Sequence, residues 1–235
     1  SLLQKFGKPN NFGNKCCRRK FNQSHIPWRS ERLYYCGSNQ PTNLSYQQPN
    51  LPELIKSTQQ EYFIENADHL GDLLDHLNSA DTIAFDTEFV SEFSYQPDLC
   101  LIQVATRDVV GCIDPKAIHD LSDFWEILSH PEKEIIVHAA REEFRFCKRE
   151  AGRRPGKLFD VQVAAGMVGI EFPAAYSTLI QKILRKTVSK GETRTDWRKR
   201  PLSDKQVEYA QKDVLFLHAL YDWATEKLEK QGRSE

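Results

Sequence analysis

The stretch Ile83-Ala84-Phe85-Asp86-Thr87-Glu88-Phe89-Val90 limits what this chain can become more than any other. Its β-branched and aromatic content predicts a strand in a well-covered sheet. Side chains alternate along a strand, so Asp86 and Glu88 share one face while Phe85, Thr87 and Phe89 share the other. Two carboxylates in one apolar patch are costly to bury, and take up protons, unless a positive charge sits between them. A divalent cation supplies that charge. The alternative is a strand that has already left the core, with both acids in water. A second acidic constellation far downstream favours the cation.

That constellation lies on the clearest predicted helix. Ser203 and Gln206 form a capping box just after Pro201. Val207, Ala210, Val214, Leu217, Tyr221, Ala224 and Leu228 then recur at steps of three and four, which predicts one continuous helix with an apolar stripe. Tyr209 and Asp213, four apart, share a neighbouring face.

The elements between predict a mixed sheet. Tyr62 to Ile64 reads as a short edge strand, and Asn66 as the cap of a helix that buries Leu70, Leu73, Leu74 and Leu77. Leu99 to Thr106 and Val109 to Ile113, split by Arg107-Asp108, read as a hairpin, making three successive strands antiparallel. A helix through Ala117 to Leu128, a strand at Ile135 to Val137 and a helix from Ala140 to Glu150 follow, the order of a parallel crossover. Leu158 to Asp160 reads as another strand, with helical segments at 161–168 and 177–184. Residues 182–200 are basic and predict a partly exposed loop ended by Pro201.

Charge is unevenly divided. Residues 1–60 carry nine basic side chains against two acids, and the rest of the chain 23 against 31. That first segment is rich in Asn, Gln, Ser and Pro without apolar periodicity, and predicts a disordered extension. No acid occurs before Glu31, which suits an organelle-targeting peptide or a basic arm for nucleic acid, and equally an artefact of how the sequence was delimited. The six cysteines form no C-x-x-C pair and no zinc-type spacing with histidine, so a reducing, cytoplasmic setting is expected, with Cys100 and Cys112 as small core residues. No apolar run reaches the ~18 residues of a membrane span.

Asp86, Glu88, Tyr209 and Asp213 are the parts of a two-metal phosphodiester site, in which hard oxygen ligands suit Mg²⁺ or Mn²⁺ and a tyrosine hydroxyl can orient the attacking water. Asp86-Thr87-Glu88-Phe89-Val90, Leu101-Ile102-Gln103, Ile113-Asp114-Pro115, His138-Ala139-Ala140-Arg141-Glu142-Glu143-Phe144, Phe159-Asp160-Val161-Gln162, the block Thr193 to Leu202 and Tyr209-Ala210-Gln211-Lys212-Asp213-Val214 together resemble ribonuclease D. That family belongs to the DEDD superfamily of 3′-5′ exonucleases, in its tyrosine variant.

The resemblance spans about residues 61–230, and implies an exonuclease domain over 61–232. Its fold would be α/β and RNase H-like: a mixed β-sheet of about five strands, three antiparallel and then parallel, flanked by helices. Its implied activity is hydrolysis of RNA from a free 3′ end, releasing nucleoside 5′-monophosphates, as in maturation of tRNA-type structured RNA. Asp86, Glu88 and Asp213 would hold the ion that activates water, Asp86 would bridge to the second, and Tyr209 would position the water. Glu143 stands where the family has Asp, one methylene longer, and is expected to serve the second ion. Phe89, His138, Arg194, Trp197 and Arg200 are the candidate nucleic-acid contacts. Core packing is the ordinary fate of a strand Phe, a structural hydrogen bond that of a lone His, and Asp160 reads as a cap or turn group.

Ribonuclease D proteins commonly continue into helical HRDC-type domains, and this sequence ends soon after Asp213. Substrate grip is therefore expected from the basic loop, from Arg145 to Lys157, from the N-terminal arm or from a partner. Two other readings stand beside this one: a single-stranded DNA exonuclease of the same superfamily, and a nucleic-acid-binding scaffold whose nuclease has decayed, with Glu143 as the sign of it.

Overall fold

The computed structural model describes residues 59–92, 96–188 and 195–233. The predicted extension over 1–60 lies almost wholly outside these, and Arg194 lies outside them too. In chain order the elements are β1 (Gln60–Ile64), a 3₁₀ turn (Ala67–His69), α1 (Leu70–Ser79), β2 (Thr82–Val90), β3 (Asp98–Ala105), β4 (Val109–Ile113), α2 (Ser122–Leu128), β5 (Glu134–Val137), α3 (Arg141–Glu150) and β6 (Lys157–Asp160). There follow α4 (Val161–Met167), α5 (Tyr176–Leu179) running into a π-helical turn (Ile180–Leu184), α6 (Asp204–Leu215) and α7 (Leu217–Lys230).

The strands form one six-stranded sheet in the order β1-β4-β3-β2-β5-β6. β2, β3 and β4 are antiparallel, whereas β5 and β6 continue from β2 in parallel. The sixth strand is the edge strand at Tyr62, which pairs parallel with β4. The helix expected from Ala117 begins only at Ser122.

Strand alternation sorts the two faces as the sequence predicts. Ile83 and Phe85 point into a core shared with Leu73 and Leu77 of α1, Phe124 and Trp125 of α2 and Phe146 of α3. Ala84, Ala105, Val110 and Ile136 face the other way, against Val161 and Ala165 of α4 and Val214, Leu217 and Leu220 of the last two helices. Helix α6 lies across β2, β3 and β4 on that second face. Cys100 and Cys112 are fully buried, as expected of small core residues.

The C-terminal helix is not continuous. It divides at Phe216, and the reason is a side chain from elsewhere in the chain. The Tyr176 hydroxyl donates to the Lys212 carbonyl at 3.2 Å and accepts from the Phe216 amide at 3.2 Å, taking the place of the backbone bond that would join those two residues. A group inserted in the i to i−4 ladder breaks a helix. Apolar periodicity runs through the break undisturbed, so the sequence pattern cannot reveal it.

Tyr176→Phe removes the inserted oxygen and lets the Phe216 amide meet the Lys212 carbonyl directly. Stability should change by no more than about 1 kcal/mol, since one backbone bond replaces two to the hydroxyl. Hydrogen exchange should show the Phe216 amide better protected; a loss of protection there would contradict the wedge.

Candidate active site

Three elements bring the predicted acids together. β2 carries Asp86 and Glu88 on the face that α6 covers. Helix α6 is started by the predicted capping box, with the Ser203 side chain accepting from the Gln206 amide and the Gln206 side chain accepting from the Ser203 amide. One and two turns further on, it presents Tyr209 and Asp213, and the Tyr209 side chain hydrogen-bonds to Asp213. Helix α3 supplies Glu143, whose residue is only 4% exposed. The Thr87 hydroxyl donates to Glu143 Oε1 at 2.8 Å. Thr87 points to the opposite face from Asp86 and Glu88, so Glu143 is anchored from behind the strand.

The start of α3 is itself braced. Asp160 accepts from the Ala139 amide at 3.1 Å, the Ala140 amide at 3.0 Å and the Gln162 amide at 2.8 Å. It thus caps α4, as the sequence predicts, and also pins the turn that launches α3. Ala139 in that turn has φ 61°, a left-handed conformation that costs an L-residue roughly 1–2 kcal/mol. The Asp160 bonds offset that cost and set the position from which Glu143 projects.

All four carboxyls are held above the ordinary carboxylate range. Burial raises Asp86 most, followed by the negative fields of Glu143, Asp213 and Glu88, against a lowering hydrogen bond from the Thr87 backbone. Glu88 is pushed up to about 8 by burial and then by Asp213 and Glu143. Burial carries Glu143 to about 7, against the pull of its own backbone amide and the Thr87 hydroxyl. It also carries Asp213 to about 7, against the hydrogen bond from Tyr209. Among the described residues no cation appears in these influences.

This donor set fits a hard divalent ion. It consists of carboxylate oxygens, Mg²⁺ and Mn²⁺ prefer such ligands, and a dication would offset the cost of burying these carboxylates in their charged form. Among the described residues no three His, Cys, Asp or Glu side chains are already closed to ion-holding geometry. Asp86, Glu88, Asp213 and Glu143 are the residues that would hold the ion.

Beside Glu88 a cavity of about 520 Å³ opens between the end of β2 and residues 195–198, with Phe89, Trp197 and Arg198 in its wall. Residues 62–229 match the family model described as a 3′-5′ exonuclease. The chain belongs to the 3′-5′ exonuclease family. It is 35% identical over 184 residues to ribonuclease D of Shewanella sp. (strain ANA-3), covering 78% of this chain and 47% of that protein. Among solved structures, Escherichia coli RNase D, an exoribonuclease involved in structured RNA processing, superimposes with a TM-score of 0.70 at 32% identity, over 74% of this chain and 46% of that one. The catalytic core of RRP6 from Trypanosoma brucei (mutant C496S) gives a TM-score of 0.67 at 25% identity, over 76% of this chain and 50% of that one. The chain therefore spans about half the length of these relatives.

Not every residue expected to meet nucleic acid is free to do so in this exonuclease domain. Phe89 is half-buried, its ring 5.7 Å from that of Phe146, and it still borders the cavity. His138 is committed to the Ala174 carbonyl at 2.9 Å, and burial first of all lowers its pKa, so its imidazole is a structural group. Trp197 is 3% exposed, packed with Cys100, Leu101 and Ala210, which leaves no face for a base.

Arg200 requires a correction. Its guanidinium donates to both oxygens of buried Asp114 and to the carbonyls of Cys100, Trp197 and Lys199, which uses all five of its N–H groups. It fastens the loop before α6 to the sheet and has no donor left for phosphate. Conversely, Thr87, Gln103 and Tyr176 were given no role in the site by the sequence, although Thr87 and Gln103 lie in stretches that carry the resemblance. Thr87 and Gln103 each carried a signal, a polar residue inside an apolar strand; Tyr176 carried none.

Two outcomes follow from this arrangement. In chelator, the folded protein holds protons that the unfolded chain has already lost between about pH 4 and the raised values near 7 to 8. Thermal midpoints without metal should therefore fall as pH rises through that window, and added Mn²⁺ should reverse the fall; a flat profile would show that the acids are not buried together. Arg200→Ala strands the Asp114 carboxylate, whose side chain is 3% exposed. It should cost about 3–5 kcal/mol in urea unfolding.

Proposed function

We propose that this domain is a two-metal 3′-5′ exoribonuclease, hydrolysing RNA from a free 3′ end and releasing nucleoside 5′-monophosphates, with maturation of structured, tRNA-type RNA as its setting. One observation carries the reading. Acids from β2, α3 and α6, far apart in sequence, are buried close enough together to raise one another's pKa, inside a fold of the 3′-5′ exonuclease family.

Bound divalent ions supply the charge that activates water and stabilises the departing oxygen. The protein's own residues do the rest. Asp86, which feels the negative fields of the three other acids, would hold both ions, Glu88 and Asp213 would hold the one that activates water, and Glu143 would serve the second. Tyr209 is held by its bond to Asp213 beside that point, where its hydroxyl orients the attacking water and takes part in moving its proton. Phe89, at the cavity wall next to Glu88, offers an apolar surface for the terminal base. Stacking of this kind contributes ~1–3 kcal/mol per base without reading sequence.

Water adds to the phosphorus and the 3′ oxygen of the preceding nucleotide leaves with a proton. Each cycle frees one 5′-monophosphate and regenerates a 3′ hydroxyl. The RNA specificity rests on the ribonuclease D relatives, and single-stranded DNA is the alternative substrate.

Asp86→Asn and Asp213→Asn should each remove at least ~99% of turnover while keeping the fold, since each takes away a ligand charge. RNA labelled at its 5′ end, incubated with Mg²⁺ and then with chelator, should show a ladder shortening from the 3′ end that chelator stops. Wild-type activity in either variant, or shortening of matched DNA in preference to RNA, would count against this assignment.

A further inference from the structure

Gln103 is fully buried in the middle of the sheet, and neither Nε2 nor Oε1 of its amide has a partner. In register it stands directly opposite Asp86 on one side and Cys112 on the other. Directly opposed residues share a face, with Cβ atoms about 4.5–5.5 Å apart, so the amide is within reach of the Asp86 carboxylate. Helix α6 lies over all three strands. The negative field of Asp213 reaches both Asp86 and Cys112, the two residues that flank Gln103 in the sheet.

Packing does not call for an amide here. Apart from Asp86, the neighbours along and across the strand on this face, Leu101, Ala105 and Cys112, are small or apolar and would accept an aliphatic side chain. A buried amide with no partner is costly, and nothing else in the ligand-free arrangement repays that cost.

We propose that Gln103 is a positioning residue of this site, its Nε2 amide donating to the Asp86 carboxylate once a divalent ion draws the acids together. The ion takes one set of carboxylate lone pairs, and the amide holds another, so the carboxylate is aimed rather than free to rotate. The same orientation turns Oε1 toward Cys112, whose buried thiol stays protonated and is a donor for it. Outer donors of this kind typically govern ion affinity about 10- to 100-fold. The proposal rests on reading the four acids as ion ligands.

The test uses Gln103→Met, which keeps length without polarity, with Gln103→Leu as a second variant. Each is measured by its thermal midpoint in chelator, by calorimetric titration of the metal-free chain with Mn²⁺, and by turnover on 3′-recessed RNA. The expected result is an unchanged or higher midpoint without metal, Mn²⁺ affinity weakened about tenfold or more, and lower kcat at unchanged KM. Wild-type Mn²⁺ affinity in both variants overturns the proposal, and so does a lower midpoint without metal alongside unaltered affinity, which would make the amide a structural group. Asp86→Asn separates the two layers of argument. If it loses Mn²⁺ uptake while Gln103→Met keeps it, only the role of Gln103 fails; if it also binds as wild type, the reading of the acids as ligands fails.

Discussion

Four carboxylates compete for one buried volume, and the rest of the domain can be understood as the means of keeping them there. Left alone, Asp86, Glu88, Glu143 and Asp213 would each move to water; burial and mutual repulsion instead hold their protons on. A fold that tolerates such a cluster has to lock its carriers from behind. β2 is locked by strands on both sides, α3 by the Asp160 brace and by Thr87 reaching Glu143, and α6 by its capping box and its seat across the sheet.

The supports differ from the acids in one chemical respect: they are saturated. Arg200 spends every donor on Asp114 and on three carbonyls, and Asp160 collects three amides. Such groups make poor ligands because they have nothing left to offer. The acids instead crowd one another, and the Gln103 amide beside Asp86 has no partner; it is on that imbalance that the proposed place of a cation rests. A glutamate where ribonuclease D has an aspartate fits the same scheme. Its longer side chain reaches the Thr87 hydroxyl without leaving the field of Asp86.

Much of this was legible from residues alone. Alternation along β2 set which side chains face which way, the Arg107-Asp108 hairpin set the antiparallel half, and the capping box set where α6 begins. Local rules suffice for such features because they depend on neighbours a few positions away. What Arg200 and Trp197 touch within the protein could not be read in this way, for the opposite reason. A basic residue beside an aromatic one in a charged loop looks available, and only the arrival of Asp114 and of the Cys100 carbonyl shows that Arg200 is spent.

From its sequence, then, this protein had already determined an α/β mixed sheet and an acidic pair on one strand face, matched by Tyr209 and Asp213 on one helix turn, because periodicity and capping are short-range physics. Tertiary structure alone decided the rest: the Tyr176 hydroxyl splits the last helix, Arg200 becomes a strut, and Gln103 lies unpartnered beneath the acids. Each of these joins residues far apart in the chain, and no local pattern records whom a side chain will meet once the sheet and its helices have closed.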